Sequence, residues 1–188
     1  TGPAETFTIT VNPTGQVDQI QDQILCNADA TTAITFTTNN TGGATTYSWE
    51  NDTASIGLAG TGTGDIASFN AVNNGTEPVT ATIVVTPSFE GCEGPTETFT
   101  ITVNPTAEMN DPQDMVVCNA EVTDAVAFTT NNTGGTTTYT WENDTPSIGL
   151  AASGSGGLPS FTAANTDTQP ITATIVVTPS FEGCEGPT

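Results

Sequence analysis

The sequence predicts an all-β fold, and three observations support this prediction. Thr is the most frequent residue, and Thr, Val, Ile and Phe dominate segments in which apolar and polar side chains alternate. Gly, Asn and Pro collect between these segments, as they do in tight turns. No segment of helical length has apolar residues at a period of 3.6. We therefore expect short strands that build β-sandwiches.

The chain contains an internal repeat with an offset of 92 residues. This offset places Cys26 on Cys118, since 118 − 26 equals 92. The stretch TATIVVTPSFEGCEGPT occurs identically at residues 80–96 and 172–188. A period of this length is too long for a solenoid unit and matches one small β-sandwich. We predict tandem domains joined by short proline linkers, like beads on a string.

Each repeat should contain about seven strands around one tryptophan. In the first repeat, strands are predicted at residues 7–11, 24–26, 34–36, 47–49, 55–58, 66–72 and 78–87. The turn NNTGG at residues 39–43 should join two of them as a hairpin, and GTGTGD at residues 60–65 should be a glycine-rich loop. This layout predicts an immunoglobulin-like sandwich, with Trp49 and Trp141 in the two cores.

Four cysteines in so polar a chain predict two disulfides, and thus an oxidising location outside the cytoplasm. We expect Cys26 to pair with Cys92 and Cys118 to pair with Cys184, because a repeating unit can close such a bond without its neighbour. The alternative is a bond between Cys92 and Cys118, which would join adjacent domains. A zinc site is disfavoured, since there are no CxxC pairs and no histidines.

The charge of the chain excludes several classes of function. It has 21 acidic residues and no Lys, Arg or His, which gives a formal net charge of −21. Such a chain cannot neutralise nucleic-acid phosphates, and anionic membranes should repel it. It has no apolar run long enough for membrane insertion. It also lacks the usual general base and amine nucleophile, so we expect no enzymatic activity and no cofactor.

Several phrases of the sequence resemble a known family. They are VCNA, TTNNTGGTTTYTWENDTPSIGLAASGSGGLPSF, ATIVVTPSFEGCEG and TFTITVNP. They look like the PKD-like, immunoglobulin-fold repeats of very long surface and secreted proteins of Bacteroidota, including the mobile adhesins of gliding flavobacteria. The resemblance covers essentially the whole chain, twice. It implies an extracellular β-sandwich repeat with adhesive, fibrous or spacer roles, and it carries over no catalytic residues.

The stretch ETFTITVNPT, which occurs twice, suggests where the domains end. Its second copy follows residues 78–87 closely enough to be their hairpin neighbour, so it should close a domain spanning residues 14–105. Residues 1–13 are then the closing strand of a preceding domain, and residues 106–188 form a domain that lacks its last strand. The alternative is that ETFTITVN opens its domain, which gives two complete domains.

We therefore predict a structural repeat of an extracellular surface filament or giant adhesin, assembled head to tail with copies of itself or with adjacent repeats. Phe7, Ile9 and Val11 should enter the open groove of a neighbour by β-strand addition, either within one longer polypeptide or between separate copies. The alternative is an adhesive module that binds surface glycans through the loops at residues 39–43 and 60–65.

Two further hypotheses concern bound ions and modification. Glu108, Asp111 and Asp114 follow the interdomain proline and are candidate Ca²⁺ ligands. Two observations disfavour a Ca²⁺ site: the sequence has no DxDxDG loop, and the first repeat has Gln16 at the position equivalent to Glu108. Thr53 lies in an acidic-Thr-small motif of the kind that Bacteroidota O-glycosylate, but the equivalent motif of the second repeat is interrupted by proline.

Overall fold

A computed structural model describes residues 2–187 and confirms that the fold is all-β. These residues contain ten strands and two single-turn 3₁₀ helices (Ala54–Ile56 and Pro146–Ile148), and they contain no α-helix. The strands are β1 (Gln23–Cys26), β2 (Thr45–Asn51), β3 (Thr61–Thr63), β4 (Val79–Phe89), β5 (Cys92–Glu93), β6 (Glu97–Asn104), β7 (Thr137–Asn143), β8 (Ser153–Ser155), β9 (Ile175–Phe181) and β10 (Cys184–Glu185). No described helix is long and apolar enough to cross a membrane.

The strands form two sheets, which is compatible with β-sandwich architecture. One sheet has the order β1-β6-β4-β2-β3, and the short strand β5 also pairs with β4. The other sheet has the order β10-β9-β7-β8. Its β7–β9 pair has the same register as the β2–β4 pair, since Trp141 lies opposite Val177 just as Trp49 lies opposite Val85. The 92-residue offset of the sequence is therefore repeated in the strand pairing.

The chain divides into two compact units. The first contains the chain up to Gln23, Ala30–Ala71 and Thr80–Thr102, and the second contains Ile24–Asp29, Val72–Val79 and the chain from Val103 onward. In the first unit the buried side chains include Trp49, Ile83 and Val85. In the second unit a buried cluster is formed by Trp141, Leu150, Leu158 and Val177. Each unit therefore has a core built around one tryptophan.

The glycine-rich segment GTGTGD does not form the expected loop, because part of it is strand β3. Gly62 lies opposite Trp49 in the β2–β3 ladder. A Cβ atom at Gly62 would collide with the indole ring, and the same holds for Gly154 beneath Trp141. Glycine is thus needed here so that the tryptophan can lie flat against the neighbouring strand.

Three other predicted elements of the first repeat are also wrong. The predicted strand at residues 66–72 is not formed, and that segment makes only isolated bridges at Ile66 and Asn70. The expected hairpin between residues 34–36 and 47–49 does not form, because β3 and β4 occupy both edges of β2. Ile34 instead makes an isolated bridge with Ile66. The predicted strand at residues 55–58 is replaced by a 3₁₀ turn, which ends at Gly57 with a φ of 98°. Glycine adopts this left-handed conformation without the strain of a side chain.

Candidate assembly site

The two copies of ETFTITVNPT are in different structural states. In the second copy, residues 97–104 form strand β6, where Phe99, Ile101 and Val103 are at most 2% exposed. In the first copy, residues 5–12 are assigned to no strand, although alternation predicts one. The equivalent side chains Phe7, Ile9 and Val11 are 84%, 79% and 86% exposed. The same sequence is therefore a core strand in one place and an unpaired apolar segment in the other.

Strand β6 is held by side chains as well as by its sheet position between β1 and β4. The backbone N–H of Thr100 donates to Asp22 Oδ1 at 2.6 Å. The hydroxyls of Thr80 and Thr102 lie 2.9 Å apart and share a hydrogen bond. At the end of the strand, the carbonyl of Asn104 accepts from the N–H of Asn27 at 2.8 Å. The strand is thus recognised by polar groups in addition to its apolar side chains.

Strand β9 of the second repeat has no such neighbour among the described residues. Its edge away from β7 pairs with β10 alone, and that pairing involves Ser180 and Phe181. Strand β9 begins at Ile175, whereas β4 begins four residues earlier in the repeat, at Val79. The rest of this edge is therefore open for another strand.

The apolar side chains next to this open edge are incompletely covered. Ala81 and Ile83 of the first repeat are fully buried, whereas the equivalent Ala173 and Ile175 are half-exposed. Residues 115–118, which are equivalent to β1, form no strand, and Val116 is 99% exposed. We call the open edge of β9 together with residues 115–118 the acceptor groove. It is an unfilled site of the kind that β-strand addition closes.

One polar side chain outside the acceptor groove, Asn165, also lacks a partner that its equivalent has. Asn73 donates through Nδ2 to two carbonyls, those of Glu77 at 2.8 Å and Val103 at 2.7 Å. The equivalent Asn165 donates to the carbonyl of Gln169 alone. Sequence reasoning missed this asparagine, although its presence in both repeats between the predicted strands was a signal that could have identified it.

Asp114, one of the predicted Ca²⁺ ligands, directly precedes residues 115–118 of the groove. It is the repeat equivalent of Asp22, which accepts a hydrogen bond from the closing strand. Within residues 2–187, no three Asp, Glu, His or Cys side chains lie close enough to hold a metal ion, so Glu108, Asp111 and Asp114 are not gathered into a site. The backbone N–H of Glu108 is bound to Asn132 Oδ1 at 2.6 Å.

The predicted disulfide pairing is wrong. Cys26 is bonded to Cys184, with 5.5 Å between their Cα atoms, and Cys92 and Cys118 are free. The reason is the division of the chain, because Cys26 belongs to the second compact unit and Cys92 to the first. Neither the expected bond from Cys26 to Cys92 nor the alternative between Cys92 and Cys118 is formed. Two disulfides were expected and one is present among the described residues, so the presence of a disulfide is confirmed and the predicted number is wrong.

The Asn-rich loop proposed to bind glycans uses its amides internally. Asn39 Nδ2 donates to Asp18 Oδ1 at 2.8 Å, and Asn40 Nδ2 donates to the carbonyl of Thr14 at 3.1 Å. Asn40 Oδ1 also accepts from the N–H of Gln16 at 2.7 Å. The loop is therefore held by its own polar groups, and glycan binding stays a prediction.

Thr53, the candidate for glycosylation, takes part in a turn that occurs in both repeats. Its hydroxyl donates to Asp52 Oδ1 at 2.8 Å, and the hydroxyl of Thr145 donates to Asp144 at the same distance. The backbone N–H of Thr82, followed by the Thr53 hydroxyl, lowers the pKa of Asp52. The same turn forms in the second repeat, where proline interrupts the motif, so these hydrogen bonds account for the Asp-Thr pair without a glycan. Glycosylation of Thr53 stays a prediction.

No protein-family model matches this chain, and no curated protein sequence matches it significantly. The two repeats of the chain therefore serve as each other's reference. They differ in sequence at many positions, yet they share the Trp–Gly contact, the Asp-Thr turn and a short hairpin, which is β4–β5 in the first repeat and β9–β10 in the second. Among the described residues, only the first repeat has a closing strand paired with it.

Proposed function

We propose that this chain is a structural repeat unit of an extracellular bacterial surface filament or giant adhesin. In the proposed assembly, residues 5–12 of one copy add as a strand to the acceptor groove of a neighbouring copy, so that copies join head to tail. Each repeat then becomes a complete immunoglobulin-like, PKD-like sandwich. In a longer polypeptide, the next repeat would supply the same strand to the same groove.

A single observation carries the proposal. The site that is open in the second repeat is present in the first repeat, where strand β6 fills it. Strand β6 has the sequence of residues 5–12, and it pairs with a β4 strand whose sequence is repeated in β9. Phe7, Ile9 and Val11 are each more than three-quarters exposed. In the assembly they would take the positions that correspond to the apolar side chains of β6, which are at most 2% exposed. Each such burial contributes about 1.5–3 kcal/mol.

The polar groups support the same direction of assembly. In the donated strand, the N–H of Thr8 is equivalent to that of Thr100 and would donate to Asp114. The carbonyl of Val11 is equivalent to that of Val103 and would accept from Asn165. The disulfide and the lack of cations are consistent with an exposed filament in an oxidising location, where the charge of −21 keeps it soluble.

The proposal is tested by the state of association of the purified chain. Light scattering and electron microscopy should show beaded oligomers whose length increases with protein concentration. Raising the ionic strength should favour them, because salt screens the repulsion between acidic copies. Ile9→Asp should leave a folded monomer, since it would place an unpaired charge in an apolar groove.

Ala4→Asp is the matched control, because it adds the same charge at an exposed position just before the donated strand. This variant should assemble like the parent chain. Monomers at every concentration and ionic strength, or equal assembly of the Ile9→Asp variant, would contradict the proposal.

A further inference from the structure

The two free thiols occupy the repeat equivalents of the two bonded cysteines. Cys118 is equivalent to Cys26, and Cys92 is equivalent to Cys184, with an offset of 92 residues in both cases. The bond thus joins the first cysteine of one repeat to the second cysteine of the repeat that follows. Among the described residues, this pattern leaves one first cysteine, Cys118, and one second cysteine, Cys92, without a bond.

We infer that Cys118 of one copy forms a disulfide with Cys92 of the next copy along the filament. This inference rests on the proposed function, because it takes the partner to be a second copy joined head to tail. In the proposed assembly, the first repeat of the donor copy follows the second repeat of the acceptor copy, just as the second repeat follows the first within one chain. The second cysteine of that donor repeat is Cys92. Strand addition and the disulfide therefore require the same order of copies along the filament.

Cys118 already has the local conformation of its bonded equivalent. The N–H of Cys118 donates to Glu121 Oε2 at 2.9 Å, and the N–H of Cys26 donates to Asp29 Oδ2 at 3.2 Å. The second residue after each cysteine is an alanine in the left-handed region, with φ of 68° at Ala120 and 71° at Ala28. This conformation is uncommon for a non-glycine residue. Because the turn at Cys118 adopts it without a disulfide, the turn does not depend on the bond.

Cys92 is preorganised in the same way. It lies opposite Phe89 in the β4–β5 pair, as Cys184 lies opposite Phe181 in the β9–β10 pair. The preceding glycines have closely similar φ values, 83° at Gly91 and 86° at Gly183. Cys184 is 1% exposed in its bond, whereas Cys92 is half-buried and Cys118 is exposed. Both free cysteines therefore share the local backbone conformation of their bonded equivalents, and neither is fully buried.

The reaction is thiol–disulfide exchange and needs a small disulfide as oxidant. The Cys118 thiolate attacks one sulfur of the oxidant and releases the first small thiol. The Cys92 thiolate then attacks the Cys118 sulfur and releases the second. Overall, two protein thiols lose two protons and two electrons, and one oxidant disulfide becomes two thiols. The strand contact raises the effective concentration of one thiol near the other.

Two complementary variants test the inference. The Cys92→Ser chain keeps Cys118, and the Cys118→Ser chain keeps Cys92. With glutathione disulfide as oxidant, the equimolar mixture should give one reducible dimer band on a denaturing gel, at least about tenfold stronger than in either variant alone. The parent chain should give a ladder of bands. Chymotrypsin should release residues 90–99 linked to residues 100–128 from the dimer, since cleavage follows Phe89, Phe99 and Phe128.

Ile9→Asp placed in only one chain of this mixture tests the polarity. In the chain that keeps Cys92 it should reduce the dimer at least about tenfold, because that chain donates the strand. In the chain that keeps Cys118 it should change the yield less than about twofold, since that chain's donor segment is not used. This second mixture is the matched control, because it contains the same substitution.

The double variant with serine at both positions separates this inference from the proposed function. If it still forms non-covalent oligomers while the mixture gives no dimer, the inference is wrong and the strand assembly stands. If it forms no oligomers, the proposed function is wrong. Two other results would overturn the inference. One is a bond between Cys92 and Cys118 within monomers of the parent chain. The other is a disulfide-linked dimer band from the Cys92→Ser chain alone that is as intense as the band from the mixture.

Discussion

The first and second repeats contain an identical segment of 17 residues, but its β-strands begin at different positions. Residues 80–96 and 172–188 have the same sequence, but strand β4 extends back to Val79 while β9 begins at Ile175. Ile83 is fully buried, and the equivalent Ile175 is half-buried. Because the sequence is the same, its propensity cannot cause the difference. The β2–β4 and β7–β9 ladders cover equivalent residues, so the difference lies on the other edge, where β4 pairs with β6 and β9 has no such neighbour among the described residues.

The largest effect is expected when a closing strand is supplied to the second repeat. We predict that appending ETFTITVNPT after Thr188 completes the second repeat within one chain. The hairpin segment before it is identical to residues 90–96, so the added strand should reach the groove as β6 does. It should abolish assembly by filling the site, and it should stabilise the second repeat by about 2 kcal/mol or more, the value of at least one buried apolar side chain.

Trp141 fluorescence in a Trp49→Phe background can follow the urea unfolding of the second repeat. The matched control appends the same residues with Asp at the position equivalent to Ile9. That chain should keep the original stability and the original assembly. Assembly that persists undiminished with the unmodified extension would show that the groove is not the contact between copies.

A second prediction compares the same substitution in the two copies of the closing strand. Ile101→Ala should destabilise the isolated chain by about 2–5 kcal/mol, because Ile101 is fully buried. Ile9→Ala should change the stability of the monomer by less than about 0.5 kcal/mol, because Ile9 is 79% exposed. Its effect should appear in assembly instead.

Chemical denaturation of dilute monomer and light scattering of concentrated samples measure these two effects separately. A loss of monomer stability in Ile9→Ala comparable to that in Ile101→Ala would mean that residues 5–12 pack within their own chain. That result would favour the interpretation of ETFTITVN as an opening strand.

Sequence reasoning predicted the parts of the fold that depend on local pattern. The alternation in residues 79–87 and 97–104 marks β4 and β6, and the aromatic positions Trp49 and Trp141 mark the two cores. These features follow from side-chain periodicity and from the burial of large apolar groups. The exposed segment at residues 5–12 has the same alternation, so pattern alone could not show that it forms no strand in this structure.

The disulfide could not be predicted in this way, because it depends on which segments share a compact unit. The sequence places Cys26 and Cys92 in one repeat, but the residues around Cys26 fold into the second unit. Similarly, nothing in the sequence positions of Asp22 and Asn73 shows that their side chains bind backbone groups of β6, namely the N–H of Thr100 and the carbonyl of Val103. Such contacts are long-range, and a local pattern carries no information about them.

A third prediction compares the core positions on the paired strands. Ile83→Ala should cost about 2–5 kcal/mol, and Ile175→Ala should cost roughly half as much, because Ile175 is only half-buried. In the chain with the appended strand, the cost of Ile175→Ala should rise to that of Ile83→Ala. Single-tryptophan variants allow each repeat to be followed in urea. Equal costs before the strand is added would mean that β9 is already covered.

The smallest expected effect concerns a feature that should be the same in both repeats. The N–H of Thr82 donates to Asp52 Oδ1 at 2.8 Å, and the N–H of Thr174 donates to Asp144 Oδ1 at 2.9 Å. These bonds, followed by those from the adjacent threonine hydroxyls, lower the pKa of each aspartate below the usual 3.8. Thr174 makes this bond although it lies outside strand β9.

Since the folded pKa lies below the unfolded one, each carboxylate stabilises the fold above about pH 4 and loses this contribution as the pH falls through its folded pKa. We expect a modest loss of stability in acid, removed in part by Asp52→Asn and to the same extent by Asp144→Asn. NMR titration of the two carboxyl groups should give midpoints below 3.8 in the monomer, unchanged when the groove is filled. A higher midpoint for Asp144 in the monomer would show that the open edge loosens the second repeat beyond residues 171–173. Equal midpoints would confine the difference between the repeats to the edge that the closing strand covers.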